Sequence, residues 1–122
     1  DIYLQTVTPA VIGLFSGQND TLNRLAFEVE PGQTPLSICS SSGKMGHSMS
    51  LGQCDLATVA AADAALADAA ATLAANLVRR TEDVEAVLNH IGAVAGIDGV
   101  LIIKDGHIGL AGHLPRLIRR TG

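Results

Sequence analysis

Two stretches of this 122-residue chain carry side chains able to do chemistry. The first is Ser40-Ser41-Ser42-Gly43-Lys44-Met45-Gly46-His47-Ser48. Small residues let backbone N–H groups approach an anion, Lys44 adds positive charge, and an imidazole such as that of His47 can act as acid or base near neutrality. The same residue types also build a plain flexible turn. It is not a nucleoside-triphosphate loop, because no Gly stands five places before Gly43 and Met45 fills the Ser/Thr position. The second stretch holds Asp68 and Thr72. Four residues apart on a helix, they put a carboxylate and a hydroxyl on one side, one turn from each other. Mg²⁺ suits such a pair, since it takes hard oxygen ligands, few from protein and the rest from phosphate and water. The alternative is a solvated Asp on an exposed helix face. The neighbours of both residues are nearly all Ala, which favours burial on most sides and a partner for the carboxylate.

Other groups carry less. Cys39, His47 and Cys54 fit no standard zinc spacing and lack a fourth ligand. The two cysteines are too few for a disulfide framework and read as a reduced pair. Gly106, Gly109 and Gly112 recur every three residues but make no GxGxxG. His90, near a helix C-terminus, reads as structural. Arg116, Arg119 and Arg120 read as a solvated basic tail, with docking to an acidic partner as the alternative.

The elements that must position these residues follow from periodicity. Segments 1–7 and 11–15 read as short strands around Thr8-Pro9, and Ser16 to Thr21 as a polar loop. Leu25, Phe27 and Val29 alternate with Ala26, Glu28 and Glu30, a strand ended by Pro31-Gly32. Pro35 to Cys39 and Leu56 to Ala60 read as further strands. A helix from about Ala62 to Val78 has Leu66, Ala70, Leu73 and Leu77 as its apolar stripe, with Arg79 and Arg80 at its C-terminal end. Thr81-Glu82-Asp83 opens a second helix reaching about Ile91. Val100 to Ile103 and Ile108 to Ala111 form a hairpin about Asp105-Gly106. This order predicts an α+β fold: a mainly antiparallel sheet with two helices on one face.

Composition sets the outer limits. With 48% hydrophobic and 16% charged residues, the chain can pack one domain or the larger part of one. Tyr3, Phe15 and Phe27 are its only aromatics, and its net charge is −4. Both argue against nucleic-acid binding, and the charge against an anionic membrane surface. No apolar run approaches the roughly 20 residues of a membrane span, so a cytoplasmic protein is expected, with self-association left open. The chain opens at Asp1 on a strand already in progress, so it is expected to begin inside a fold whose N-terminal half is missing.

Several motifs together resemble a known superfamily. They are Ile38-Cys39-Ser40-Ser41-Ser42-Gly43, Gly46-His47-Ser48-x-Ser50-x-Gly52, Ala62-Asp63, Leu66-Ala67-Asp68-Ala69-Ala70-Ala71-Thr72 and Gly112-His113-Leu114-Pro115. The chain looks like the C-terminal half of an ApbE-like protein, related to the FAD:protein FMN transferases. The resemblance implies an α+β unit of the tunnelling type. It implies Mg²⁺ held by Asp68 and Thr72 at a dinucleotide pyrophosphate, FAD or a related nucleotide as cofactor, and His47 as the catalytic acid, base or orienting donor. It also implies Ser41, Ser42, Gly43, Gly46, Ser48 and Asp1 facing the nucleotide. The expected activity is flavin or nucleotidyl transfer; the alternative is a non-catalytic nucleotide-binding or structural module. The sequence departs from the transferases after its His, where they continue Ile-Asp-Pro-x-Thr-Gly and this chain reads Ser48-Met49-Ser50-Leu51-Gly52. It departs again in having only three residues between the Ser-Gly loop and His47.

Overall fold

The computed structural model describes residues 2–5, 10–14, 25–43 and 54–119. In chain order the elements are β1 (Ile2–Leu4), β2 (Ala10–Gly13), β3 (Leu25–Val29), β4 (Leu36–Ser41), β5 (Leu56–Ala61), α1 (Ala64–Leu77), α2 (Val84–Gly92), β6 (Ile97–Lys104), β7 (His107–Gly112) and β8 (Arg116–Arg119). Short 3-10 turns at Pro31–Gln33 and Thr81–Asp83 lead into β4 and α2. The fold is α+β. A five-stranded antiparallel sheet in the order β1-β4-β5-β6-β7 carries both helices on one face.

A second sheet, β2-β3-β8, covers the other face. That layer is one more than the sequence predicts. Its third strand, β8, lies within the segment read as a basic tail. Leu117 and Ile118 pair there with Phe27 and Ala26 of β3, a pairing nearly a chain length apart that local periodicity does not contain.

Two cores follow from strand alternation. Val59, Val100 and Ile102 meet Ala67, Ala71, Ala74, Val84, Leu88 and Ile91 of the helices. Ile38, Leu56, Leu101 and Ile103 meet Phe27, Val29, Leu25 and Ile12 of the smaller sheet.

Helix α1 is built differently from its expected stripe. Its buried residues are Ala67, Ala70, Ala71, Ala74 and Ala75, whereas Leu73 and Leu77 are 44% and 41% exposed. Leu66 is half-buried. Reading leucine as the buried marker misplaced the face, because the helix lies close on β4 and β5 and only a methyl fits between. Asp63, which the sequence reading put inside the helix, caps its start. Its carboxylate accepts from the N–H groups of Ala65 and Leu66 at 2.9 and 3.1 Å, satisfying two of the four orphan donors of the first turn. Between the helices Asp83 accepts from the N–H groups of Arg79 and Arg80 at 3.1 and 3.0 Å. Those two bonds hold its carboxyl below the ordinary value. The Asp105-Gly106 turn forms as predicted, with both residues at positive φ.

The alanine face makes a directional prediction. Ala74→Leu overpacks the helix–sheet contact and costs about 1–3 kcal/mol, while Leu73→Ala costs less than about 1 kcal/mol. Urea unfolding of the two variants checks this; an apolar stripe through Leu73 requires the reverse order.

Candidate functional site

The residues singled out in the sequence fall on β4, on the turn that follows it, and on the flank of α1. By alternation Ser37, Cys39 and Ser41 share the helix side of β4. Ser37 Oγ donates to the carbonyl of Ala62 at 3.5 Å, and the thiol of Cys39 to the carbonyl of Ala64 at 3.7 Å. In the helical pattern that second carbonyl is also the acceptor of the Asp68 N–H. Strand and helix therefore run side by side from a common start. From the contact of Cys39 with Ala64, two strand residues at ~3.3 Å match about four helical residues at ~1.5 Å, so Asp68 comes about level with Ser41 and Thr72 a turn beyond.

Electrostatics agree with this placement. Burial pushes the Cys39 thiol up from its ordinary value, and the Asp68 carboxylate pushes it further the same way. Asp68 and Thr72 are both exposed, so the burial expected from their alanine neighbours is corrected. Those alanines face the sheet, and the two polar side chains lie just beyond the edge of that contact. Their oxygens are open to water and to a ligand.

The Ser-Gly turn is also more committed than the sequence suggested. Ser42 Oγ donates to the carbonyl of Cys54 at 3.1 Å, and the Gly43 N–H to the same carbonyl at 3.0 Å. These two donors were expected to face a phosphate; here they tie the end of β4 to the start of β5. Ser41, half-buried at the last position of β4, stands just before them. On the opposite side of the strand the Ser40 and Thr58 hydroxyls lie 2.8 Å apart. His47, Gly46, Ser48 and Asp1 lie outside the described residues, as does Lys44.

Cys39 and Cys54 are free and buried. Burial is the largest influence on Cys54 and pushes its thiol up to about 11, so at neutral pH it is a protonated core residue and not a nucleophile. Among the described residues no group of three or more His, Cys, Asp or Glu side chains could hold a metal.

One charged residue at this end of the sheet escaped the sequence reading. Lys104, the last residue of β6, is only 6% exposed and pairs with Asp105 at 3.1 Å. The Asp105 N–H in turn donates to Asp55 Oδ2 at 2.7 Å, beside the Cys54 carbonyl that anchors the Ser-Gly turn. The signal was present as parity, since Lys104 shares the two-residue period of Val100 and Ile102 and so belongs on the helix face.

Comparison with known proteins adds the lineage. The family described as AbpE bacteria matches residues 1–110. The chain belongs to that family. It is also similar to a UPF0280 protein of Methanosarcina barkeri, 38% identical over 120 residues, covering 98% of this chain and 47% of that protein. A UPF0280 protein of Archaeoglobus fulgidus is 39% identical over 121 residues, covering 96% of this chain and 49% of its own length. One of Methanothermobacter thermautotrophicus is 35% identical over 122 residues, covering 97% and 47%. The chain thus spans about half the length of the curated relatives it matches.

These matches correct the resemblance drawn from motifs. They lie with the AbpE bacteria and UPF0280 proteins, and nothing in them indicates the FAD:protein FMN transferase superfamily. The motifs that suggested it are short runs of Ser, Gly and Ala around a few polar residues: Asp63, Asp68, Thr72, His47 and His113. Such runs arise readily in any small-residue turn followed by an alanine-rich helix.

The coupling of Asp68 to Cys39 can be measured. Removing the negative charge with Asp68→Asn lowers the Cys39 thiol, so the pH midpoint for its alkylation moves down while that of Cys54 stays in place. Peptide-resolved iodoacetamide labelling reads both; an unmoved Cys39 midpoint separates the two side chains.

Proposed function

We propose that this chain supplies part of a binding site for a phosphate-bearing, dinucleotide-type small molecule, flavin dinucleotides being one member of the class. Asp68 and Thr72 would share a hydrated Mg²⁺ with its phosphates. The observation that carries this reading is the position of Asp68. The Cys39 thiol sits on the carbonyl that caps the Asp68 N–H, and the carboxylate acts on that thiol. An exposed carboxylate thus lies on the flank of α1 beside β4, and an exposed hydroxyl stands one turn further along.

The donor set accounts for the kind of binding expected. One carboxylate and one hydroxyl hold Mg²⁺ weakly by themselves, and the cation gains affinity when phosphate oxygens complete its shell. Bound there, the metal would offset phosphate charge. The protein's own part is to orient: α1 is clamped to the sheet by its alanine face, so the two oxygens keep a fixed spacing. Lys104 adds a positive charge at the Ser-Gly end of the sheet, partly offset by Asp105. His47, Ser48 and Gly46 lie outside the described residues and belong to the proposal by sequence alone, His47 as acid, base or orienting donor; Ser41 ends β4 before them. Binding is the function proposed.

Calorimetry on the full protein with FAD and with NAD⁺, each with MgCl₂ and with EDTA, tests the reading. Binding should require Mg²⁺, and Asp68→Ala should weaken it about tenfold, equivalent to ~1.4 kcal/mol, with no effect in EDTA. Absence of dinucleotide binding by the wild type sinks the proposal. So does an Asp68→Ala variant whose affinity and Mg²⁺ dependence are unchanged.

A further inference from the structure

Tyr3 is the only tyrosine of the chain. At 59% it is also the most exposed large hydrophobic residue among those described. It stands on β1, an edge strand of the five-stranded sheet, directly opposite Ser37 of β4. Residues opposite each other in an antiparallel pair put their side chains on one face, with Cβ atoms ~5 Å apart. Ser37 is on the helix face, since its hydroxyl donates to the Ala62 carbonyl just before α1. Tyr3 therefore projects from the helix face as well, one strand outside β4.

Helix α1 turns a definite flank toward that edge. It lies over β4 and β5, and its Leu66 reaches the turn that follows α2. A Cβ on Gly96 of that turn would fall 2.8 Å from Leu66 Cδ2. Asp68 comes two residues later, ~200° further round the helix. It thus belongs on the flank away from α2, where its carboxylate acts on Cys39 of β4. Thr72 lies one turn along the same flank. The aromatic ring and the two oxygens border the same outer side of α1.

The strand sets their spacing. Helix and strand run in the same direction, as the contacts of Ser37 with Ala62 and of Cys39 with Ala64 show. Tyr3 is level with Ser37, and Asp68 about level with Ser41. Four strand residues at ~3.3 Å separate the two levels, roughly 13 Å. In a dinucleotide each planar ring hangs from the pyrophosphate by one sugar. That link is about six bonds of ~1.5 Å and extends to about 7 Å. The ring, a metal–oxygen distance of ~2 Å and the reach of the tyrosine side chain cover the remainder.

We infer that Tyr3 stacks on one of the two planar rings of the dinucleotide whose phosphates meet Mg²⁺ at Asp68 and Thr72. The inference rests on the dinucleotide reading and adds the subsite for a ring. An open aromatic face accepts any flat π-system, so this contact gives affinity without selecting the base. A ligand with phosphates and no ring does not feel it.

Calorimetry on the full protein in MgCl₂ compares FAD and NAD⁺ with inorganic pyrophosphate, which has phosphates alone. Tyr3→Thr, which keeps strand propensity, should weaken both dinucleotides about tenfold and leave pyrophosphate unchanged. Tyr3→Phe, which keeps the ring, should restore the affinity. With one tyrosine in the chain, ¹³C-tyrosine labelling isolates the ring signals of Tyr3. They should move upfield with either dinucleotide and stay in place with pyrophosphate. Undiminished dinucleotide affinity in Tyr3→Thr, an equal loss for pyrophosphate, or unmoved ring signals overturn the inference. If Asp68→Ala still weakens pyrophosphate in that case, the metal–phosphate reading stands without it. A wild type that binds neither dinucleotides nor pyrophosphate removes both.

Discussion

The close contact between the alanine face of α1 and strands β4 and β5 is the constraint on which the candidate chemistry depends. Ala67, Ala71 and Ala74 present only a methyl to the sheet. The helix can therefore settle against Cys39 until the thiol reaches the Ala64 carbonyl. A leucine face would hold the helix farther out, and Asp68 would then stand in water beyond electrostatic reach of the strand. The same contact explains why so ordinary a pair as Asp68 and Thr72 can be aimed: a tightly seated helix cannot rotate about its axis without opening voids in a close-packed core.

How much of this was legible in the chain depends on how local each determinant is. The Asp105-Gly106 hairpin, the alternating strand around Phe27 and the two helices all rest on neighbours within a few residues, and each is found where the sequence put it. The face of α1 was misread because hydrophobic periodicity weights Leu above Ala, whereas burial here is decided by fit to the facing sheet. Strand β8 was missed because Leu117 and Ile118 carry no strand signal between Arg116 and Arg119. Their pairing with β3 is made by the tertiary fold. Asp63 and Asp68 illustrate the limit most clearly. They are two Asp residues in one alanine-rich run, and only the start of the helix shows that the first caps it while the second stands free on its flank.

The Ser-Gly turn shows a different limit. Residue types alone make Ser42 and Gly43 potential phosphate donors, but hydrogen bonds must be spent somewhere, and a carbonyl left bare at the start of β5 is costly if buried. The Cys54 carbonyl collects both donors. Its residue is fully buried, and the thiol contacts the Leu56 and Ile103 carbonyls at 3.1 and 3.5 Å. The turn is thus tied into the sheet first, and any ligand it meets must be served by what remains: Ser41, the flank of α1 and the charges around Lys104.

Strand β6 carries charges of opposite sign near its two ends. At its C-terminal end the nearly buried ammonium of Lys104 needs a carboxylate, and Asp105 with Asp55 behind it supplies a short chain of compensation. At its N-terminal end the Asp98 carbonyl accepts from the His113 N–H, an approach that Gly99 and Gly112 allow, and Asp98 itself is exposed. A buried charge is tolerated only when paired, whereas an exposed carboxylate costs the fold little. The difference follows from burial alone. The Lys104 end serves the fold before it can serve a ligand, and the Asp98 end keeps a charge that the fold does not use.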